Sequence, residues 1–231
     1  MKRLEIPSYI AEKISRGNAI LFLGAGSSYG CSAANGFQCP NGTGLGKILS
    51  DSFLGGKRAQ EPLARIADYA ESEAGRAAVQ AKVFEVFDPI EPNDFHKIVT
   101  QFRWRAIVTT NYDRVIEKSY ENSKDRLQDP VPILRNGDMA RLTDNARGVP
   151  IIKIHGCITQ SGDTKIPLVL ANEQYVKHSS GRERLASTFK EMAQDCPVIF
   201  CGYQFQDLHI QSVLFGLDND SIDRPQYLGK V

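Results

Sequence analysis

The chain has 231 residues, 28 basic and 27 acidic, which gives a formal net charge of +1 at pH 7. So even a balance gives no reason to expect binding to nucleic acid or an acidic membrane. The length suffices for one sizeable α/β domain, and no apolar run approaches the roughly 18 residues needed to span a bilayer. The N-terminal residues lack the apolar core of a signal peptide. Five cysteines with no short paired spacing are typical of a reduced, cytoplasmic protein.

The first strong signal is the apolar run at residues 19–23, which is too short for a typical helix and predicts a buried parallel strand. The chain then turns through Gly24, Ala25, Gly26 and Ser27. Glycine lets a ligand approach the backbone, and consecutive N–H groups in such a turn form a concave site for an anion, usually a phosphate. A first strand followed by this loop is where doubly wound folds hold nucleotides. The alternative is a tight turn that binds nothing.

The rest of the chain alternates between apolar strand patterns and amphipathic helix patterns. Residues 29–56 are rich in Gly, Ser, Asn and Cys without a clear period, and they predict a long loop. Within it, residues 41–47 look superficially like a P-loop, but Asn41 is not Gly and Ile48 replaces the Ser or Thr, so an ATPase of that type is rejected. Helices are predicted at 7–16, 61–74, 76–87, 93–102, 114–119, 181–195 and 208–215, with a helical turn beginning at 172 or 173. Strands are predicted at 105–109, 149–154 and 197–201, with weaker ones at 131–134 and 167–170.

Four clear strands thus alternate with helices, which predicts an α/β fold with a parallel sheet covered on both faces. Each of these strands ends in a polar or glycine-bearing segment: residues 24–27, 109–113, 153–156 and 202–207. Open α/β sheets bind ligands at the carboxyl ends of their strands. We therefore expect four segments that are far apart in sequence to meet along one edge of the sheet.

These four segments, in this order, resemble the sirtuin-like domains, and the closer match is to the bacterial branch found in antiphage defence proteins that destroy NAD. The resemblance covers roughly residues 15–230 and implies a Rossmann-like doubly wound parallel sheet with helices on both faces. It departs from protein-deacylating sirtuins because the chain lacks Cys-x-x-Cys pairs, so we expect no zinc ribbon and no metal. Gly24, Gly26 and Gly30 approach the fingerprint of dinucleotide dehydrogenases, but no second strand ending in an acidic ribose ligand follows.

The resemblance implies that NAD lies across this edge, with its pyrophosphate over residues 24–27 and Gly202 making room for a ribose or the base. Ser27 would add a hydroxyl to the phosphate site, unless it only closes the turn. Cleavage of the nicotinamide–ribose bond passes through an oxocarbenium-like centre, which needs a held leaving group, a placed water and a proton acceptor. Asn111 carries a donor and an acceptor suited to positioning water or ribose hydroxyls; its alternative role is an Asx turn.

Two further side chains are candidates for this chemistry. Asp113 would accept a hydrogen bond from the nicotinamide amide, cap the following helix, or do both. By resemblance, His155 is the base toward a ribose hydroxyl or the water, and histidine is a side chain that can accept a proton at neutral pH. We interpret His96 and Cys157 as core residues. Asp207 is interpreted as a helix cap, Trp104 as packing at a strand start, and His178 and His209 as bystanders.

The leading hypothesis is an NAD glycohydrolase that yields nicotinamide and ADP-ribose and depletes NAD in antiviral defence, regulated by a partner or by homo-oligomerisation. One alternative is a regulatory module that binds NAD or a derivative without cleaving it, and a weaker one is an NAD-dependent protein deacylase. Residues 1–231 are predicted to form one domain. Residues 224–231 look like the beginning of another strand, so we expect a domain of a longer protein, or one that needs a partner at its sheet edge.

Overall fold

The structure is a computed structural model that describes residues 6–177, 181–205 and 208–215. The predictions made for His178, Asp207, the side chain of His209 and residues 224–231 lie outside the described residues. The described strands are β1 Ile20–Leu23, β2 Ala106–Thr109, β3 Asp129–Ile133, β4 Gly148–Lys153 and β5 Val198–Cys201. The described helices are α1 Ser8–Ser15, α2 Gly42–Phe53, α3 Leu63–Ala74, α4 Arg76–Phe87, α5 Asp94–Val99, α6 Val115–Asn122, α7 Asn172–Lys177, α8 Glu183–Asp195 and α9 Leu208–Phe215. Short 3-10 turns lie at Ala25–Ser28, Asp138–Leu142 and Ile158–Gln160.

The five strands form one sheet in the order β3-β4-β2-β1-β5, and every pairing is parallel. Successive side chains of the central strands point into two apolar cores, one on each face of the sheet. On one face, Phe22 and Val108 pack with Phe189 of α8. On the other, Leu21 and Ile107 share a core with α6 and α5 residues. The sheet is therefore covered by helices on both faces, which confirms the predicted α/β, doubly wound class.

A third core lies outside the sheet, in the segment between β1 and β2. Helices α2, α3 and α4 bury residues such as Leu49, Ile66 and Val83 against one another. The same cluster includes Tyr112 and Ile158, which follow β2 and β4. This helical layer, which we call the helical module (residues 42–87), therefore packs against the loops at the carboxyl ends of those strands.

The prediction of a loop throughout residues 29–56 was wrong, because this segment contains the twelve-residue helix α2. Asn41 begins the helix, and its side chain accepts a hydrogen bond of 2.8 Å from the amide of Gly44. Leu45 and Leu49, four residues apart, are fully buried. Three glycines near the start of the helix hide this pattern, since glycine costs about 1 kcal/mol relative to alanine in a helix interior. Burial in the helical module offsets that cost.

Two weaker strand predictions had different outcomes. The predicted strand at 131–134 exists as β3, at the end of the described sheet, where Pro130 and Pro132 are tolerated because a strand there has one side without a ladder partner. The predicted strand at 167–170 was wrong: these residues are not assigned to a strand, and Val169 donates one bond of 2.9 Å to the His155 carbonyl. Residues 168–170 are nevertheless buried, because they pack under the helical module.

None of the helices within residues 6–177, 181–205 and 208–215 combines the length and the apolar character that a membrane crossing requires.

Candidate functional site

The four candidate segments lie along one edge of the sheet, as the sequence predicted. Strands β4, β2, β1 and β5 are consecutive neighbours and run in the same direction. Their carboxyl ends therefore bring residues 24–28, 110–114, 154–158 and 202–205 to the same edge, which we call the carboxyl rim. The helical module packs against the second and third of these segments.

At one end of the rim, the loops after β1 and β5 are in main-chain contact. The Gly26 amide donates to the Gly202 carbonyl at 2.8 Å, and the Gly24 amide donates to Cys201 at 3.0 Å. A Cβ atom on Gly24 would lie 2.6 Å from the Gly202 oxygen, and one on Gly26 would lie 2.9 Å from the Gly202 Cα. The two glycines are thus required for close packing of two backbones, whether or not a ligand is bound.

Side-chain and amide groups in the first loop also bond within the protein. The Ser27 hydroxyl donates to the Gly24 carbonyl at 2.7 Å, and the Ser27 amide donates to the same oxygen at 2.9 Å. Ser27 therefore closes the turn, and its role toward a phosphate stays a prediction. The amides of Gly24, Gly26 and Ser27 all donate to protein carbonyls, while Ala25 and Gly26 are the exposed residues of this loop.

Gly202 gives a sharp test of this packing. Its φ is +64°, and a Cβ there would lie 2.0 Å from the Ser27 amide nitrogen. We expect Gly202→Ala to lower the free energy of unfolding by about 2–4 kcal/mol, combining left-handed strain with overpacking. Gly162→Ala is the matched control, because no atom lies within 4 Å of its Cβ position and its φ is not positive. Urea denaturation measures both variants, and equal stability would contradict the packing argument.

Asn111 joins the loop after β2 to the loop after β1. Its side-chain nitrogen donates to the Gly24 carbonyl at 3.1 Å and lies 3.2 Å from Ser28 Oγ and 3.4 Å from Ser27 Oγ. Its backbone amide donates to Thr109 Oγ1 at 3.0 Å. The side chain therefore reaches across the rim instead of closing an Asx turn on its own backbone. It is half-buried, so part of it faces the open side of the rim.

Asp113 lies under Asn111 and is buried. One carboxylate oxygen accepts from the Val115 amide at 3.0 Å at the start of α6, and the other accepts from Ser28 Oγ at 3.1 Å. The carboxylate thus holds the first residue of α6, although Arg114 occupies the N-cap position and makes no side-chain cap bond. The oxygen that accepts from Ser28 also joins the β1 and β2 loops.

His155 follows β4 on the same rim and is only 4 % exposed. Its ring meets the ring of Tyr175 edge-on, with centroids 5.3 Å apart. Its carbonyl accepts from Val169 at 2.9 Å, which anchors the buried 168–170 segment. The structure thus places both predicted catalytic side chains on one rim, after the neighbouring strands β2 and β4.

Sequence reasoning missed a buried ion pair next to these residues. Lys153 and Glu117 are 0 % and 1 % exposed, and Lys153 Nζ lies 3.0 Å from Glu117 Oε1. Lys153 Nζ also donates to the Asp113 carbonyl. Burial is the largest single effect and lowers the pKa of Lys153, but the charges of Glu117, Cys157 and Asp113 and the hydrogen bond to Glu117 together outweigh it, so the pKa lies above the ordinary lysine value. Glu117 gave no sequence signal, because a glutamate in the first turn of a short helix is normally exposed.

His96 is a core residue, as predicted, and 1 % exposed. Its Nδ1 lies 2.8 Å from Asn93 Oδ1, which requires Nδ1 to carry the proton, while Asn93 Nδ2 donates to the Tyr29 carbonyl at 2.9 Å. The sulfur of Cys31 lies 3.7 Å from the same ring nitrogen. Burial lowers the pKa of His96 to about 4, against a smaller opposing effect of Asp113.

This depressed pKa predicts a pH-dependent stability. Between about pH 6.5 and pH 4 the unfolded chain binds a proton at His96 that the folded chain does not, so stability falls as the pH decreases through this window. From pH 7 to pH 5 the expected loss from this group is about 2 kcal/mol. His96→Asn keeps a donor toward Asn93 but cannot titrate, so urea denaturation at the two pH values should show a smaller loss for the variant. Equal losses of unfolding free energy in the wild type and the variant would show that His96 is not the group responsible.

Two further residues that the sequence singled out, Cys157 and Trp104, are core residues. Cys157 is buried in the cluster beneath the helical module, and Trp104 is buried at the start of β2, where its indole donates to Val99 at 3.0 Å. The five cysteines are free thiols, and burial raises the pKa of Cys31 to about 11. Within the described part of the chain, no cluster of His, Cys, Asp and Glu side chains has an arrangement that could hold a metal ion.

A parallel, doubly wound sheet with a glycine loop after its first strand and polar side chains along its carboxyl rim defines a Rossmann-like class of domain. The family described as SIR2-like domain matches residues 105–228, more than half of the chain, and the chain belongs to this family.

Two curated relatives are similar over most of the chain. The protein named NAD(+) hydrolase ThsA from Cytobacillus dafuensis is 29% identical over 198 residues, which cover 85% of this chain and 37% of the relative. The NAD(+) hydrolase ThsA from Enterococcus faecium is 25% identical over 208 residues, which cover 88% of this chain and 41% of the relative. The chain therefore spans about two fifths of the length of each of these relatives.

Proposed function

We propose that this chain is an NAD glycohydrolase domain that cleaves NAD to nicotinamide and ADP-ribose. Membership of the SIR2-like family and the likeness to two relatives named NAD(+) hydrolase support this activity. The domain would act within a longer protein, in the cytoplasm, as an NAD-depleting effector of antiviral defence. Regulation by a partner or by homo-oligomerisation belongs to the same proposal, and this part of it rests on the family resemblance.

The observation that carries the proposal is the placement of Asn111. Its amide is held at the junction of the β1 and β2 loops by Gly24 and two serine hydroxyls. A side chain fixed by several oxygens loses little further entropy when it orients a water or a ribose hydroxyl, which is what a preorganised site requires. Because it is half-buried at the rim, Asn111 can meet a ligand lying there.

The other roles follow from the order of the loops. NAD would lie across the rim against Gly24, Ala25, Gly26 and Ser27, with Gly202 beside a ribose or the base. Asp113 would fix the reacting end, where it already orders the loop that carries Asn111. His155, after the neighbouring strand, would accept a proton from a ribose hydroxyl or from the attacking water.

A non-catalytic NAD-binding module is the second candidate. It requires the same contacts with NAD as the hydrolase, and the amides of Gly24, Gly26 and Ser27, which donate within the protein, are compatible with both functions. Nicotinamide release from NAD by the purified protein separates the two functions. Release of nicotinamide supports the hydrolase. Saturable NAD binding by calorimetry, without release at high enzyme concentration, would favour the binding module instead.

A further inference from the structure

Lys153 connects the two rim segments that carry the proposed catalytic residues. It is the last residue of β4, two positions before His155, and its ammonium group donates to the carbonyl of Asp113 after β2. The same group pairs with Glu117 Oε1 at 3.0 Å on the first turn of α6. The β4 and β2 segments are thus joined through one fully buried cation.

The segment that Lys153 holds is otherwise fixed from the β1 side. Asn111 bonds to the first loop through its side chain, and Asp113 bonds to Ser28 through its carboxylate. The Asp113 carbonyl bond to Lys153 is a restraint from the opposite direction, and the Tyr112 carbonyl adds a second by accepting from the Ile158 amide at 2.9 Å. Removal of the lysine would take away one of these two restraints, the one nearest to Asp113, and so loosen the β2 segment relative to His155.

We infer that Lys153 is a positioning residue, which holds the Asn111–Asp113 segment in register with His155 through the Asp113 carbonyl. This inference rests on the proposed function for its effect on turnover. A buried ion pair is not in itself a stabilising device, because desolvation offsets much of the attraction, and apolar residues of similar size are often as stable. Stability alone is therefore a weak explanation for this pair.

Three variants separate positioning from stability. Lys153→Met removes the donor to Asp113 and leaves the Glu117 carboxylate buried without its cation. Lys153→Met combined with Glu117→Leu removes the donor but also the stranded charge, so its thermal midpoint should return toward wild type. Glu117→Gln keeps the lysine and its donation to Asp113. It replaces the carboxylate with an amide, whose oxygen can still accept from the lysine, at some cost in stability.

With NAD as substrate, we expect kcat to fall about 10- to 100-fold in both variants that lack Lys153, with a smaller change in KM, because a misplaced reacting group affects turnover more than binding. Glu117→Gln should keep kcat close to wild type. Lys118→Met is the matched control: Lys118 is the neighbouring residue on α6 and donates to the Asp88 and Ile90 carbonyls, away from the rim. It should lose stability without losing kcat.

Amide hydrogen exchange gives a readout that does not depend on turnover. The amides of Asn111 and Val115 bond within this segment, and they should exchange faster in the Lys153→Met variants but not in Glu117→Gln. Wild-type kcat together with unchanged exchange in the double variant would overturn the inference. If the wild-type protein releases no nicotinamide, the proposed hydrolase function fails, and the exchange experiment alone then supports or overturns the positioning role.

Discussion

Replacement of Asn111 by alanine is expected to reduce nicotinamide release from NAD by about 10²–10³-fold, the effect seen when one preorganised polar group is removed from a reacting centre. The fold should persist, because Asn111 is half-buried and its loss removes only the bonds of one side-chain nitrogen to the Gly24 carbonyl and the hydroxyls of Ser27 and Ser28. A cost of about 1–3 kcal/mol in unfolding free energy is the expected scale. Nicotinamide release and urea denaturation measured on the same preparation separate the two effects.

Two further variants sharpen this experiment. Asn111→Asp keeps the shape but replaces the amide donor with a carboxylate that faces the Gly24 carbonyl at about the same distance, so it should also lose turnover. Asn122→Ala is the matched control, because Asn122 is exposed at the end of α6. Normal turnover in both Asn111 variants would exclude Asn111 from the reaction.

Replacement of His155 is expected to have an effect at least as large, since removal of a positioned proton acceptor typically costs about 10²–10⁴-fold. His155→Gln is the more informative variant, because the ring is 4 % exposed and packs against Tyr175, so alanine would also leave a cavity. Glutamine fills most of the volume and keeps polar atoms, but it cannot accept the proton. NAD affinity, measured by calorimetry, should change far less than kcat.

His96 supplies the histidine control. It is equally buried but belongs to the network of Asn93 and Cys31, and the proposed reaction does not use it. His96→Asn should therefore retain turnover at pH 7.5 where His155→Gln does not. Equal turnover in the two variants would contradict the assignment of His155 as the base.

The sequence predicted the sheet and the rim because fully buried parallel strands are continuous apolar runs, such as Ile20–Leu23 and Ala106–Thr109. It did not predict α2, because the glycines of this helix hide the helical spacing of its buried residues. The helix is stabilised by its burial in the helical module. The run at 167–170 was mistaken for a strand because burial alone does not distinguish a paired strand from a covered loop.

The placement of the candidate residues was predictable, but the contacts between them were not. Asn111 and His155 were predicted from short segments that follow strands and from the family resemblance, and their catalytic roles stay predictions. By contrast, the Lys153–Glu117 pair depends on how closely α6 packs behind β4, and neither residue type nor spacing indicates that distance. The close contact between Gly202 and the β1 loop could likewise not be predicted from the sequence, because it joins backbones from opposite ends of the chain.

Because the backbones of Gly24 and Gly26 contact Gly202, the two ends of the rim are held together in different ways. At the β1–β5 end, the spacing between loops is set by main-chain atoms, and only the absence of a side chain at three positions matters. At the β2–β4 end, a side chain takes part as well, because Lys153 donates to the Asp113 carbonyl. In the proposed hydrolase, substitutions intended to change which leaving group is accepted therefore belong near the β2–β4 end, at side chains other than Asn111, Lys153 and His155, so that the opposite end keeps its dimensions.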